Sequence, residues 1–529
     1  MPHPVPVLQL PEVYSPLVLS DETERVKALG TKFEKMYHHK PAFIARAPGR
    51  LNMIGEHIDT SGYSVFPMAI ERDVLMAASY MPGPGDLRVV LANVASRFSH
   101  TSFSCDLTKP ESLHLLTMTT HRWANYFMVA LRGLLDDFPP EVRQNTHGVL
   151  HVLVDGTIPP ESSLSSSAAM TTASSLVVIM AFGMHDCIDR KRLTEKATSS
   201  ERLIGVSTGG MDQAASVFGE MGKALYVSFA PTLHTEPIQM PKWEEYLFLI
   251  TNTLIKSDKK ANAPTQYNLR VVELRIAAYL ISRELGVQIS SPSPFPSQLR
   301  AIADAYWEAN PNELEEIMRV YEDVRMAYND AGKEVAQLQA MLNIVEKFLP
   351  RRGLTREELE QLTGLSSEAF HHEFLSQVPV HASHFYPHHR AFHVYSEAQR
   401  VLRFRAICDT ASKKLQSGEA CDVHGAYVRL GHVMNESHES LRNMYDCSCP
   451  ELDLIVHIGR QAGALGSRLT GAGWGGSAVH LVPRDRLEDV KTAMRNMYYS
   501  MRIGYMTENN LSEAMFVTDP TQGACYLSL

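Results

Sequence analysis

Cysteine is scarce in this sequence, and what there is does not pair. Seven of 529 residues are Cys, at 105, 187, 408, 421, 447, 449 and 525, widely spread and with no C-x-x-C among them. An odd, scattered set suggests neither a disulfide framework nor a zinc ribbon. Cys447-Ser-Cys449, the one close pair, has no second half of a metal site. Missing too is any apolar run of about 18–20 residues, so no membrane-spanning helix is expected. The opening MPHPVPVLQLPEVYSP has too many prolines, and no basic-then-apolar order, for a secretory leader. Nor is there an excess of positive charge. The net charge of −9 leaves no overall basic footprint for nucleic acid, so an anionic substrate would have to be met by local positive potential. These absences predict a cytoplasmic protein that touches neither membrane nor nucleic acid directly.

What is present is ordinary globular composition, 44% hydrophobic and 21% charged, which argues against a largely disordered chain. The length predicts two or three units at about 100–200 residues each. An extended arm of some fifteen residues leads into a helix from about Asp21 to Tyr37. Alternating, β-branched stretches predict strands at AFIARAPGR, DVLMAASY, LRVVLAN and GVLHVLVDG. HRWANYFMVALRGLLDDF between them has helical spacing, and the small-residue run from Leu164 to about Met184 reads as a buried helix. After Gly219 come the strands ALYVSFA and YLFLITNT and the helix YNLRVVELRIAAYLISREL. More helices follow through about Gln416, broken by the polar turn SSPSPFPSQ. SAVHLVP, LEDVKTAMRNMYYSM and EAMFVTDP then read as strand, helix and strand. With no regular βαβ alternation and no solenoid repeat, the predicted fold class is α+β.

Seven histidines crowd the segment 371–393, at 371, 372, 381, 384, 388, 389 and 393. None has a Cys or carboxylate at a familiar zinc spacing, so they are assigned to a solvated loop and helix face.

Four strings concentrate chemistry. Ala47-Pro-Gly-Arg50-Leu-Asn-Met-Ile-Gly-Glu56-His57-Ile-Asp59 follows a strand and supplies the mixed donors and acceptors a small polyol needs. Gly156-Thr-Ile-Pro-Pro-Glu-Ser-Ser163-Leu164-Ser165-Ser166-Ser167-Ala168-Ala169 lies between a strand and the long helix. Such a helix start is an anion site through free N–H groups and the helix dipole, although serines also cap ordinary helices. It is not a P-loop, since no G-x-x-x-x-G-K-[ST] occurs. Gly471, Gly473 and Gly476 fit the dinucleotide string G-x-G-x-x-G. That string needs a helix after it, and here a strand pattern follows, which disfavours nicotinamide redox chemistry. What remains is a glycine turn with backbone close to a ligand or a neighbouring loop. In Gly209-Gly210-Met211-Asp212-Gln213 an Asp sits on a tight turn from which it can reach a cleft.

Together and in this order, these strings resemble the galactokinase branch of the GHMP kinase superfamily. GRLNMIGEHIDTSGYSVFPMAI is similar to its sugar signature, SLSSSAA to the phosphate-loop motif, GGMDQAASVFG to the catalytic-Asp segment and LTGAGWGGSAVHLVP to the third motif. TNTLIKSDKKANAPTQYNLRVVELR and AFHVYSEAQRVL resemble eukaryotic, especially fungal, members. The resemblance implies a two-domain fold with the active site between its N- and C-terminal parts. The expected units are an arm and first helix (1–38), an N-terminal domain (39–225) and a C-terminal domain (226–529) with a helical insertion at about 290–380. It further implies ATP and Mg2+, and D-galactose as acceptor. Arg50 and Asp212 match the catalytic pair. Arg50, Glu56, His57, Asp59, Asp212 and Tyr267 match sugar-binding positions. Leu164, Ser165, Ser166, Ser167 and Ala168 match the phosphate loop, with Ser167 and Glu201 as metal ligands. Trp123 and Tyr126 sit where an adenine-pocket Trp and Tyr are found.

Three positions depart from the family pattern. Thr60 replaces a usual Tyr, and Glu161 and Ser163 stand where glycines are usual. If those glycines need positive φ, a side chain there costs about 1–2 kcal/mol. The family also contains N-acetylgalactosamine kinases, and galactose sensors that bind sugar and ATP and act through a regulatory protein partner. The intact run Ser165–Ala169 favours an enzyme, and Tyr267 together with the fungal-like segments favours galactose.

Overall fold

The computed structural model describes residues 4–115, 123–204, 209–241, 243–255, 262–288, 297–320, 331–504 and 506–528. Residues 290–296 of the expected turn and residues 321–330 of the expected insertion fall outside these.

Among the described residues the larger sheet has seven strands: β1 (Val7–Leu8), β2 (Phe43–Ile54), β3 (Phe66–Pro82), β4 (Leu87–Asn93), β5 (Thr101–Cys105), β6 (Gly148–Gly156) and β13 (Cys525–Leu527). They run in the order β1-β13-β2-β3-β6-β4-β5. Both faces are covered, so β2 and β3 are buried almost throughout. Ala45, Ala47, Met76 and Ala78 point into the main core, while Ile44, Leu75 and Ala77 join a second cluster with Leu29 and Phe33. Alternation of strand side chains makes this division inevitable. Leu29 and Phe33 come from α1 (Leu19–Tyr37).

The main-core face carries α2 (Asn125–Leu134), α4 (Ser166–Ala181), α5 (Arg190–Arg202) and α6 (Met211–Phe218), with a short α3 (Pro140–Asn145) preceding β6. Helix α4 is buried nearly all round, as its small residues require. Ser174 and Ser175 return their hydroxyls to the carbonyls of Met170 and Thr171, at 2.7 and 2.9 Å, which satisfies those two buried donors within the helix.

A smaller sheet orders β10 (Gly466–Thr470), β11 (Ser477–Pro483), β9 (Tyr246–Asn252) and β12 (Met515–Thr518), and β7 (Lys223–Ser228) pairs with β8 (His234–Gln239). Helix α7 (Tyr267–Leu285) and the helices Gly332–Phe348, Pro387–Ser417 and Val423–Ser440 pack together beside it. This is the expected α+β mixture.

Two expectations change. The arm is not simply extended: β1 pairs in parallel with β13, which pairs with β2, and Val13 and Tyr14 are buried. The Tyr14 hydroxyl donates to Asp73, 2.6 Å away, which also holds Arg25 and Arg46. We keep a boundary near residue 225 as a proposal, with residues 525–527 completing the first sheet. The histidine segment also divides. His371, His372, His381 and His384 are exposed, but His388 and His393 are buried, because the helix Pro387–Ser417 turns them toward the core. No group of three or more His, Cys, Asp or Glu able to hold a metal occurs among the described residues. No helix among them is long and apolar enough to cross a membrane.

Candidate active site

Strand β2 is irregular where the chemistry begins. Its register with β3 shifts between Pro48 and Arg50 and again between Asn52 and Ile54. A Cβ on Gly49 would lie 2.7 Å from the Leu164 carbonyl, so glycine lets the strand touch the serine loop. The Arg50 N–H donates to that carbonyl at 3.2 Å. Its guanidinium gives one N–H to the Ser163 carbonyl (2.7 Å) and Nε–H to Asp212 Oδ1 (2.8 Å). Asp212 stands in the first turn of α6, after Gly210 at φ +113°. A Cβ on Gly209 would fall 2.5 Å from Asp59, so this pair of glycines brings α6 against the sugar-signature loop.

A cleft of about 360 Å³ is lined by Arg50, Glu56, His57, Asp59, Asp212 and Tyr267, with Glu201 at its edge. The buried polar lining is electrostatically tense. Burial, and then the Asp212 charge, push the Asp59 carboxyl up to about 6, against N–H donation from Met211 and Thr60. Burial also raises Glu56, opposed by Arg468 and Arg50. Burial raises the Tyr267 phenol well above its ordinary value, so it stays a neutral donor. His57, at φ +66°, gives Nε2–H to the Ala472 carbonyl at 3.1 Å and stacks on Tyr445, centroids 4.4 Å apart.

The second site borders the first through Ser163. Glu161, Ser163 and Ser165 all take positive φ, at 58°, 64° and 61°. The condition attached to the two departures is therefore met at both, although the Glu161 side chain is exposed. Ser165 precedes α4, yet no side chain caps that helix. The Ser163 and Ser165 hydroxyls are buried without a protein partner. Uncapped N–H groups and unmet hydroxyls at the start of a sixteen-residue helix make a cradle for an anion; serines merely capping the helix would have looked different. Ser166 and Ser167 are half-buried in the first turn and Ala168 is buried.

Residues 471–476 form the turn of the β10–β11 hairpin. Gly471, Gly473, Gly475 and Gly476 and even Trp474 have positive φ. A Cβ on Gly471 or Gly476 would strike Ser163, at 2.5 and 2.2 Å. The close neighbour of this turn is thus the serine loop, fastened also by Ser477 Oγ–H to the Ser162 carbonyl (2.7 Å).

The remaining sequence-named residues spread around this centre. Glu201, buried on α5, accepts from Gln213 Nε2 at 2.5 Å. Burial, then Glu201 and Glu161, raise the Tyr126 phenol, so Tyr126 faces the loop. Trp123 gives its indole N–H to the Ser99 carbonyl at 3.1 Å. Thr60 is buried, its hydroxyl 3.3 Å from the His57 carbonyl.

Sequence reasoning missed the supports. Arg468, fully buried, pairs with Glu56 (3.0 Å) and donates to the Asn52 carbonyl. His393 and Glu397, one turn apart on the long helix, hold the Glu56 carbonyl (3.1 Å) and the Gly55 N–H (3.0 Å). The i, i+4 spacing of His393 and Glu397 was the available signal, masked by the surrounding histidines.

Known proteins match this arrangement along its length. Residues 31–80 match a family model described as the galactokinase galactose-binding signature, 125–220 the GHMP kinases N-terminal domain and 419–500 the GHMP kinases C-terminal model. A galactokinase of Schizosaccharomyces pombe is 35% identical over 517 residues, 96% of this chain and 95% of that protein. One of Saccharomyces cerevisiae is 36% identical over 525 residues, with the same coverage. A crystal structure of Lactococcus lactis galactokinase complexed with galactose shares the fold, with a TM-score of 0.63 at 22% identity, over 94% of this chain and 99% of that one. Three matching family models in chain order, with full-length relatives above the level at which family is in doubt, leave one assignment: this chain belongs to the galactokinase family of GHMP kinases.

Proposed function

We propose that the protein is a galactokinase, transferring the γ-phosphoryl group of ATP to the C1 hydroxyl of D-galactose. The observation that carries this is the Arg50–Asp212 ion pair, 2.8 Å long, set between a polyol-type cleft and an uncapped helix start. Cradle and cleft share the Arg50 guanidinium, so both substrates would meet there.

Phosphoryl transfer has a loose transition state and depends on positioning and charge neutralisation. Asp212 would take the proton of the C1 hydroxyl as its oxygen bonds to the γ-phosphorus and the bond to the β-phosphate oxygen breaks, releasing ADP. Arg50, ion-paired with Asp212, would favour its carboxylate form as a neighbouring cation does and would offer charge toward the transferring group. Glu56, His57, Asp59 and Tyr267 would hold the sugar hydroxyls. Ser165, Ser166, Ser167 and the N–H groups of α4 would hold the phosphates, with Leu164 and Ala168 shaping the loop. Tyr126 and Trp123 would border the adenine.

A magnesium ion suits the donors present. Ser167 and Glu201 are hard oxygen ligands of the kind that hold Mg2+ together with substrate phosphates, and the buried, unpartnered Ser163 and Ser165 hydroxyls support a loop that would take a polar guest. Bound there, the ion would neutralise charge developing on the phosphates. A cytoplasmic location belongs to this reading.

The test is phosphorylation of galactose, N-acetylgalactosamine and glucose by purified protein with magnesium-ATP. Product on galactose supports the enzyme. Tight binding without turnover marks a sensor that acts through a protein partner, and preference for the acetylated sugar corrects the acceptor. Asp212→Asn is expected to lower kcat by about 10²–10⁴ while galactose still binds. Near-normal turnover in that variant removes the role given to Asp212.

A further inference from the structure

The cleft has a wall that no family motif supplies. Gln377, Val378 and Pro379 line it together with the charged residues, and they lie outside all three matched segments. The wall is pinned. Asn268 Nδ2–H donates to the Pro379 carbonyl at 3.2 Å, Arg275 Nη1–H to Gln377 Oε1 at 3.0 Å, and the His381 N–H to the Pro264 carbonyl at 2.9 Å. Two of these anchors, Asn268 and Arg275, stand on α7, the helix whose first residue is the cleft-lining Tyr267. One rigid helix therefore fixes both the tyrosine and the wall, and with them the width of the opening.

We propose that residues 377–379 form a specificity-determining wall that limits the bulk of the acceptor sugar. The inference rests on the sugar-kinase reading and deepens it. Val378 and Pro379 offer no hydrogen bond from their side chains, so their effect on an acceptor is steric and apolar, unlike that of the carboxylates in the cleft. A wall held from three points does not retreat cheaply; an acceptor one group too large must displace it or bind off-centre. One methylene group in such a pocket is worth roughly tenfold or more in discrimination. The acceptor class admitted is an unsubstituted hexose, with N-acetylated and O-alkylated derivatives refused.

The experiment compares kcat/KM for galactose, N-acetylgalactosamine, and galactose methylated singly at the C2, C4 or C6 oxygen. It uses the full chain and the variants Val378→Ala, Pro379→Ala and Asn268→Ala. The expected result is a rise of about tenfold in at least one enlarged acceptor relative to galactose, with KM for ATP unchanged. Val378→Phe, which narrows the opening, should lower kcat/KM for galactose itself at unchanged KM for ATP. Ratios within twofold of wild type in every trimmed variant, or full galactose activity in Val378→Phe, overturn the proposal. If the wild type binds galactose without turning it over, the same ratios are read from Kd. Failure of the wild type to bind galactose overturns the sugar-kinase reading instead.

Discussion

Ser163 is a residue the fold tolerates at a cost, and Ser163→Gly should reveal it. At φ +64° its Cβ is in the left-handed region, which burdens an L-residue by about 1–2 kcal/mol. Its buried hydroxyl has no protein partner, a penalty of about 1–3 kcal/mol where nothing compensates. Against these stands the larger backbone entropy that glycine loses on folding, about 0.5–1 kcal/mol, and the lost contact of the side chain with Gly471 and Gly476. The balance favours glycine, by on the order of 1–2 kcal/mol. For a chain of this size that means a rise of about 1–2 degrees in apparent melting temperature, read by calorimetry without nucleotide. ATP titration separates the two contributions. If relief of strain dominates, affinity is kept or improved; if the hydroxyl meets a phosphate oxygen, affinity falls while stability still rises. A lower melting temperature in the absence of ATP would refute the strain argument altogether.

The converse change, Gly476→Ala, places a Cβ 2.2 Å from Ser163 Oγ at φ +72°. It should raise KM for ATP and lower stability by about 2–4 kcal/mol, and the loss should shrink by more than about 1 kcal/mol in the Ser163→Gly background. Arg468→Met strands the buried Glu56 carboxylate and should cost about 3–5 kcal/mol by chemical denaturation, with Glu56→Gln restoring part of it. Asp59, whose carboxyl is raised from 3.8 to about 6, keeps its proton longer folded than unfolded. It adds no cost below pH 3.8, and the ligand-free protein loses stability as pH rises toward 6, by about 3 kcal/mol in all. Asp59→Asn should remove that component from the difference between the two stability curves. Because a sugar hydroxyl donates best to the ionised form, KM for galactose should climb as pH falls below about 6, and a flat profile would speak against Asp59 as a ligand.

The motifs were legible in the sequence because each joins a local signal to a function: a strand end, a serine-started helix, a glycine turn. The strand after Gly476 correctly separated the hairpin from a dinucleotide fold, and the conditional reading of Glu161 and Ser163 matched their backbone angles. What could not be read was support across long separations. Arg468, on β10, reaches Glu56 and Tyr445 reaches His57 only because distant parts of the chain fold against the β2 loop, and neither lies at a spacing that marks it. Composition misled at His388 and His393, where a polar residue type sat on a face that helix packing buries. The arm read only as extended, since two residues of strand give no periodicity; only its partner β13 makes β1 a strand.

That partner arrives late. The edge of β2 is completed by a strand so distant that Arg46 and Gln522, in contact across it, stand 476 positions apart. A ribosome emits everything between them first. Throughout translation the nascent β2 edge presents unpaired amides that another chain could claim, and closing so long a loop is slow. Production of this protein should therefore depend on holding chaperones and slow growth more than its finished stability suggests, and refolding from denaturant should lose material to aggregation before β13 docks.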